Sequence, residues 1–213
     1  MMNRRQALKN IGYTTGFLVA TPTILSLLQS CAKEEQLTWQ PQLLSEDEAK
    51  MLTKVVDLII PETENIPGAK SLNVPMFIDK YIATMAEDEQ ISMFKDAAGV
   101  ILTDWGIGED KSISKVTDEE YHALLSKYLK ASKDERESYM IEMQKFATPE
   151  EMKNMSKDLK MYMFLTSVRD LTIFGYKTNE EIGENVLAYD PVPGEQIGCE
   201  TTEKLTQGKA WSL

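Results

Sequence analysis

The stretch SEDEAKMLTKVVDLIIP, residues 45–61, is a helix with both ends marked in the sequence. Ser45 and Glu48 form a capping box, in which the hydroxyl and the carboxylate three residues on each accept the other's backbone N–H. Leu52, Val55, Val56 and Ile59 then recur on one helical face until Pro61, which cannot continue the hydrogen-bond ladder. The same grammar returns along the chain, and no run of useful length alternates apolar and polar residues with the period of two that a half-buried strand needs. The chain is therefore expected to be all-α, a single compact domain of about six helices.

After Pro61 the segment PETENIPGAKSLNV carries two prolines and reads as a long structured loop. Pro75 then stands at a first-turn position, and Phe77, Ile78, Tyr81, Ile82 and Met85 give the second helix its buried stripe. A third helix is predicted over 88–105, closed by the turn GIGED. Thr117 and Glu120 make another capping box ahead of Tyr121, Leu124 and Tyr128, and a charged helix follows over 133–146. Thr148 as N-cap with Pro149 at the first position predicts one long helix running through Met155, Leu159 and Tyr162 to Gly175. The last 38 residues are expected to be a mostly irregular arm with a short helix near 180–187.

The N-terminus is of a different kind. Arg4, Arg5 and Lys9 form a basic region without an acidic residue, and residues 11–28 are mildly apolar and interrupted by Gly12, Thr14, Thr15 and Gly16. This is the pattern of an export signal, too polar at its start for a comfortable membrane span of roughly 20 apolar residues. The Arg4-Arg5 pair resembles the twin-arginine signal, an address read by a receptor and used for cargo that crosses already folded. Leu28, Gln29, Ser30 and Cys31 resemble a lipobox whose cysteine is acylated. Residues 1–30 are accordingly set apart as the signal, 31–43 as a polar tether and 44–213 as the folded domain, exported and facing the periplasm.

The formal net charge is −11, and removing residues 1–30, which carry three positive charges and no negative one, makes it more acidic still. Such a surface argues against nucleic acid and against adhesion to anionic lipid, leaving the acyl group on Cys31 as the membrane attachment. The chain has two cysteines. If Cys31 is acylated, Cys199 is left to bridge another chain or to pack as a small apolar side chain. Thiolate iron–sulfur ligation and c-type haem attachment both lack their residues. The lone His122 has no metal or triad partners placed near it in sequence, GIGEDK lacks the third glycine of a dinucleotide loop, and at Asp110 a loop of EF-hand type fails at Lys115 and Tyr121. The carboxylates Glu180, Glu181, Glu184, Asp190 and Glu195 read as solvated surface, and most of the twelve methionines as core, although Met-rich faces also serve adaptable interfaces. No catalytic, cofactor or metal residue is assigned.

Two blocks carry a resemblance. The stretch LLSEDEAKMLTKVVDLIIPETENIPGAKSLNVPMFIDKYI joins a helix ending in I-I-P, a P-G-A segment and V-P-x-F-I-D, and FGYKTNEEIGENVLAYDPVPGEQIGC places G-Y ahead of Y-D-P-x-P-G. Together they resemble the gluconate 2-dehydrogenase subunit 3 family and bracket residues 44–213. The resemblance implies a noncatalytic small subunit beside a large FAD-dependent flavoprotein of the glucose-methanol-choline (GMC) type, which oxidises sugars or polyols, often with a c-type cytochrome as electron acceptor. It also implies that the export signal, Arg4 and Arg5, carries the folded flavoprotein across. The FAD is expected in the partner and no cofactor in this chain. On the same resemblance Pro61, Pro75, Phe77, Tyr189, Asp190, Pro191, Pro193 and Gly194 are candidates for docking and loop shape, with Cys199 placed to bridge. The lipobox is not general in that family, so the Cys31 anchor is an addition to it, and the word gluconate in its name says nothing of the sugar here. An independent helical lipoprotein is the alternative.

Overall fold

Five of the six long helices start where a side chain can satisfy the otherwise unpartnered first-turn amides, and the sixth, from Val74, has no side-chain cap but carries Pro75 in its first turn. The computed structural model describes residues 36–192, 194 and 198–212. Among these, six helices of eleven residues or more carry the fold: α1 (Glu46–Ile59), α2 (Val74–Met85), α3 (Asp88–Asp104), α4 (Asp118–Leu129), α5 (Lys133–Met143) and α7 (Lys157–Lys177). Two shorter ones are α6 (Pro149–Met152) and α8 (Thr202–Thr206), with a 3-10 turn at Ile113–Lys115 and a π-helix at Glu181–Val186. The described residues contain no β-strand, only two isolated bridges. The all-α expectation holds.

Helix α7 is the axis of the domain and packs against α1, α2, α3, α4 and α5. That is why its apolar residues do not form one stripe: Leu159, Met161, Phe164, Leu165 and Val168 are all buried because neighbours approach from several sides. The core continues through Met51, Leu52, Val55 and Val56 of α1, Ile78 of α2, Phe94 and Ile101 of α3 and Tyr128 of α4. Burying each large side chain contributes about 1.5–3 kcal/mol against exposure. Helix α5 buries none of its side chains and rides outside, held by Tyr139 stacked on Tyr162 of α7 with ring centroids 4.4 Å apart.

Helix α4 is locked to α7 by a polar cluster. The Tyr128 hydroxyl donates to Asp158 Oδ1 at 2.5 Å, and Lys127 Nζ reaches the same oxygen at 2.7 Å. Burial, with the adjacent carboxylate, pushes the Tyr128 phenol up to about 12, and the hydrogen bond from Lys127 holds Asp158 below the usual carboxylate range.

The structure corrects three boundaries. The long helix expected from Thr148 to Gly175 is two helices, because Ser156 starts a second one by accepting from Leu159 N–H while Met155 stays buried in the break. The stretch taken as a tether belongs to the domain from Leu37 onward: Leu37, Trp39 and Leu43 pack on the core. In the arm, the short helix expected near 180–187 is present as the π-helix, and the arm is more ordered than expected in holding α8 as well and in returning its end to Ala188.

Candidate partner-docking face

Most of the residues that carry the resemblance meet around the C-terminal end of α7. The loop after α1 doubles back on itself, with Thr63 N–H on Ile66 O at 3.0 Å and Ala69 N–H on Ile60 O at 2.9 Å. Gly68 makes this fold-back sterically feasible, since a Cβ there would lie 2.5 Å from the Glu62 nitrogen. Tyr176, at the end of α7, holds the loop from the other side by donating its hydroxyl to Pro67 O at 2.9 Å, and burial raises its phenol above the ordinary tyrosine value. One residue earlier, Gly175 lies under the ring of Phe77, whose Cδ1 would be 2.6 Å from an added Cβ.

Phe77 thus stands on α7, flanked by Tyr81 at 5.5 Å and Phe174 at 6.0 Å between centroids. Phe174 and Ile173 are 46% and 43% exposed, so this cluster opens outward. On the buried side, the aspartate of V-P-x-F-I-D ties down the start of the domain. Asp79 is fully buried and accepts the backbone N–H of Gln42 at 2.6 Å, Leu43 at 3.2 Å and Leu44 at 3.0 Å. Sequence reasoning did not single out Asp79, although it stands inside the motif that was read.

The C-terminal segment is built in the opposite sense. Ala188 N–H donates to Ala210 O and Ser212 N–H to Ala188 O, both at 2.9 Å, so the chain end is pinned back at a neck formed by Ala188, Ala210 and Ser212. Gly183 lies against this neck, with Ser212 Oγ 3.0 Å from where a Cβ would stand. In the same segment, Thr201 caps α8 and the buried Thr206 hydroxyl reaches the carbonyls of Thr202 and Lys209. Among its described residues, Tyr189 is 50%, Val192 82% and Trp211 52% exposed.

The docking candidates therefore separate. Pro75 is buried in the first turn of α2 and Phe77 is half-buried against Gly175, so both are engaged within the chain. Pro61, Tyr189, Asp190, Pro191, Gly194 and Cys199 are exposed. Cys199 is a free thiol at φ 57°, which removes the alternative of a buried apolar side chain. Arg4, Arg5, Cys31 and Pro193 lie outside the described residues, as does Glu195. His122 is exposed on α4, and Glu180, Glu181, Glu184 and Asp190 are exposed as well. Among the described residues no group of three or more His, Cys, Asp or Glu side chains is placed to hold a metal ion, and no helix is long and apolar enough to cross a membrane.

The motif residues thus brace the end of α7, while the described apolar side chains after Ala188 are exposed. The family model of gluconate 2-dehydrogenase subunit 3 matches residues 46–194, and the chain belongs to that family. Membership supports a small accessory subunit of a dehydrogenase complex. Neither a curated relative nor a solved structure matches the chain.

Proposed function

We propose that this chain is the noncatalytic small subunit of a membrane-associated, FAD-dependent dehydrogenase of the GMC type acting on sugars or polyols. Its roles are to stabilise the large flavoprotein and to carry it, folded and loaded with FAD, through twin-arginine export. The family match over residues 46–194 carries this reading. The exposed Tyr189, Val192 and Trp211 near the pinned neck support it, because a pinned segment loses less conformational freedom on docking than a free arm. Oxidation takes place at the partner's flavin, with a c-type cytochrome as an acceptor. Arg4 and Arg5 address the complex for export, and acylated Cys31 holds it to the membrane on the periplasmic side.

The test is a pull-down of the natively expressed, detergent-solubilised protein, read by flavin absorbance and by mass spectrometry. A yellow complex with a large oxidoreductase is the expected result, and replacing Arg4 and Arg5 by Lys is expected to leave that flavoprotein in the cytoplasm. A colourless monomer under gentle conditions overturns the reading and favours an independent helical lipoprotein.

A further inference from the structure

A groove of about 860 Å³ lies between α2, α3 and α7, with α6 beside it. Five of its lining residues are methionines: Met85, Met93, Met152, Met155 and Met163. Its floor is firm, since Phe94 and Phe164 pack there with ring centroids 4.7 Å apart and both are buried. Its edge is soft. Met85 is 70% exposed, and an unbranched thioether side chain reshapes itself around whatever apolar surface it meets.

The charges at the rim say what kind of surface that is. Lys160 is the groove's one cationic lining residue and is paired with Asp96 at 2.8 Å. Glu87 and Glu89 are exposed at the lip, and no cation is paired with either among the described residues. The groove is thus apolar and polarizable inside and negative outside. A second copy of this chain, with its net charge of −11, brings like charge to that lip, and an anionic lipid surface does the same. An occupant matched to both features has a row of apolar side chains at helical spacing and Lys or Arg beside it, the helix-in-groove mode of recognition.

We infer that the methionine-lined groove between α2, α3 and α7 is the seat of a basic amphipathic helix contributed by the partner subunit. This rests on the accessory-subunit reading for the source of the helix. The apolar face replaces solvent over Met85, Met93 and Met163, and the flanking cations pair with Glu87 and Glu89. Because Tyr81 both lines the groove and touches Phe174, 6.3 Å away between centroids, the seat adjoins the outward aromatic cluster.

The test uses the full chain and two labelled 18-residue peptides, one of Leu and Lys in helical period and one with Glu in place of Lys, read by fluorescence anisotropy. The Leu/Lys peptide is expected to bind and to weaken with added salt, and the Leu/Glu peptide to bind at least tenfold more weakly. Met85→Glu, and separately Glu87→Lys with Glu89→Lys, are each expected to weaken the Leu/Lys peptide about tenfold. Met85 and Glu89 are exposed, but Glu87 also caps α3, so its reversal costs some helix stability. Circular dichroism with chemical denaturation checks that each variant is still folded at the assay temperature. Glu89→Lys alone serves as the cap-sparing control, expected to weaken the Leu/Lys peptide in the same direction. Equal binding of the two peptides, no binding of either, or binding indifferent to both variants overturns the proposal. The same variants are then carried into the pull-down. If wild type captures no flavoprotein, the accessory-subunit reading fails whatever the peptides do. If wild type and both variants capture it equally, the groove proposal alone falls.

Discussion

The two ends of the resemblance do different physical work. The first block and the G-Y pair form an inward clasp, where Gly68, Phe77, Asp79, Gly175 and Tyr176 contact other parts of the same chain. The closing block begins just after the Ala188 neck, and its described apolar side chains, Tyr189 and Val192, are exposed. The residues that carry the resemblance thus include some that hold the fold and others that are exposed. Burial and hydrogen-bond partners tell the two apart. Substitutions in the clasp should therefore cost stability, and substitutions in the closing block should cost association.

The largest expected effect is at Asp79. Asp79→Ala leaves the N–H groups of Gln42, Leu43 and Leu44 without their acceptor at a buried site, and should destabilise the domain by about 3 kcal/mol. Chemical denaturation measures the loss, and limited proteolysis should then cut within residues 37–44. Gly175→Ala comes next, at about 1–3 kcal/mol, because the new methyl meets a ring already confined by Tyr81 and Phe174. Adding Phe77→Leu should recover part of that loss, and a double-mutant cycle reads the coupling. Additive effects would mean that the two residues do not bear on each other.

Tyr176→Phe is smaller, at about 1 kcal/mol, since it removes only the bond to Pro67 O. It also carries a pH signature. Burial raises the Tyr176 phenol above its ordinary value, so its contribution is complete below that value and is lost as pH rises through the folded-state value. Tyr128, pushed up to about 12, behaves in the same way between about pH 10 and 12. Melting temperatures across the alkaline range should fall less steeply in Tyr176→Phe than in wild type, with the Tyr128 part of the slope remaining.

Much of this fold could be read in advance because its signals are local. The capping boxes at Ser45 and Thr117 and the stop at Pro61 fix helix ends within a few residues of sequence, and all are present. The break before α7 was missed because Met152, Met155 and Leu159 keep helical spacing across it, and only Ser156 betrays a new start. Asp79 escaped notice for a different reason. Its partners lie 35 to 37 residues away, so the stretch around Trp39 reads as polar tether until the acceptor is placed against it. The methionine groove was equally hidden, since composition cannot separate a methionine in the core, such as Met161, from one at an open edge, such as Met85.

The smallest effect on stability is expected where the effect on function should be greatest. Tyr189→Ser combined with Val192→Ser changes two side chains that are 50% and 82% exposed and leaves the Ala188–Ala210 and Ser212–Ala188 hydrogen bonds in place. The folded chain should therefore change in stability by no more than about 0.5 kcal/mol. Capture of the flavoprotein should nevertheless fall at least tenfold, because exposed apolar side chains beside a pinned neck are the kind of anchor that dominates an interface. Denaturation and pull-down on the same preparation decide between the two. A loss of several kcal/mol would place the closing block with the clasp as part of the fold's own bracing, and the contrast between the two regions would collapse. Unchanged stability with undiminished capture would keep the contrast but move the docking contact elsewhere, first to the aromatic cluster around Phe174.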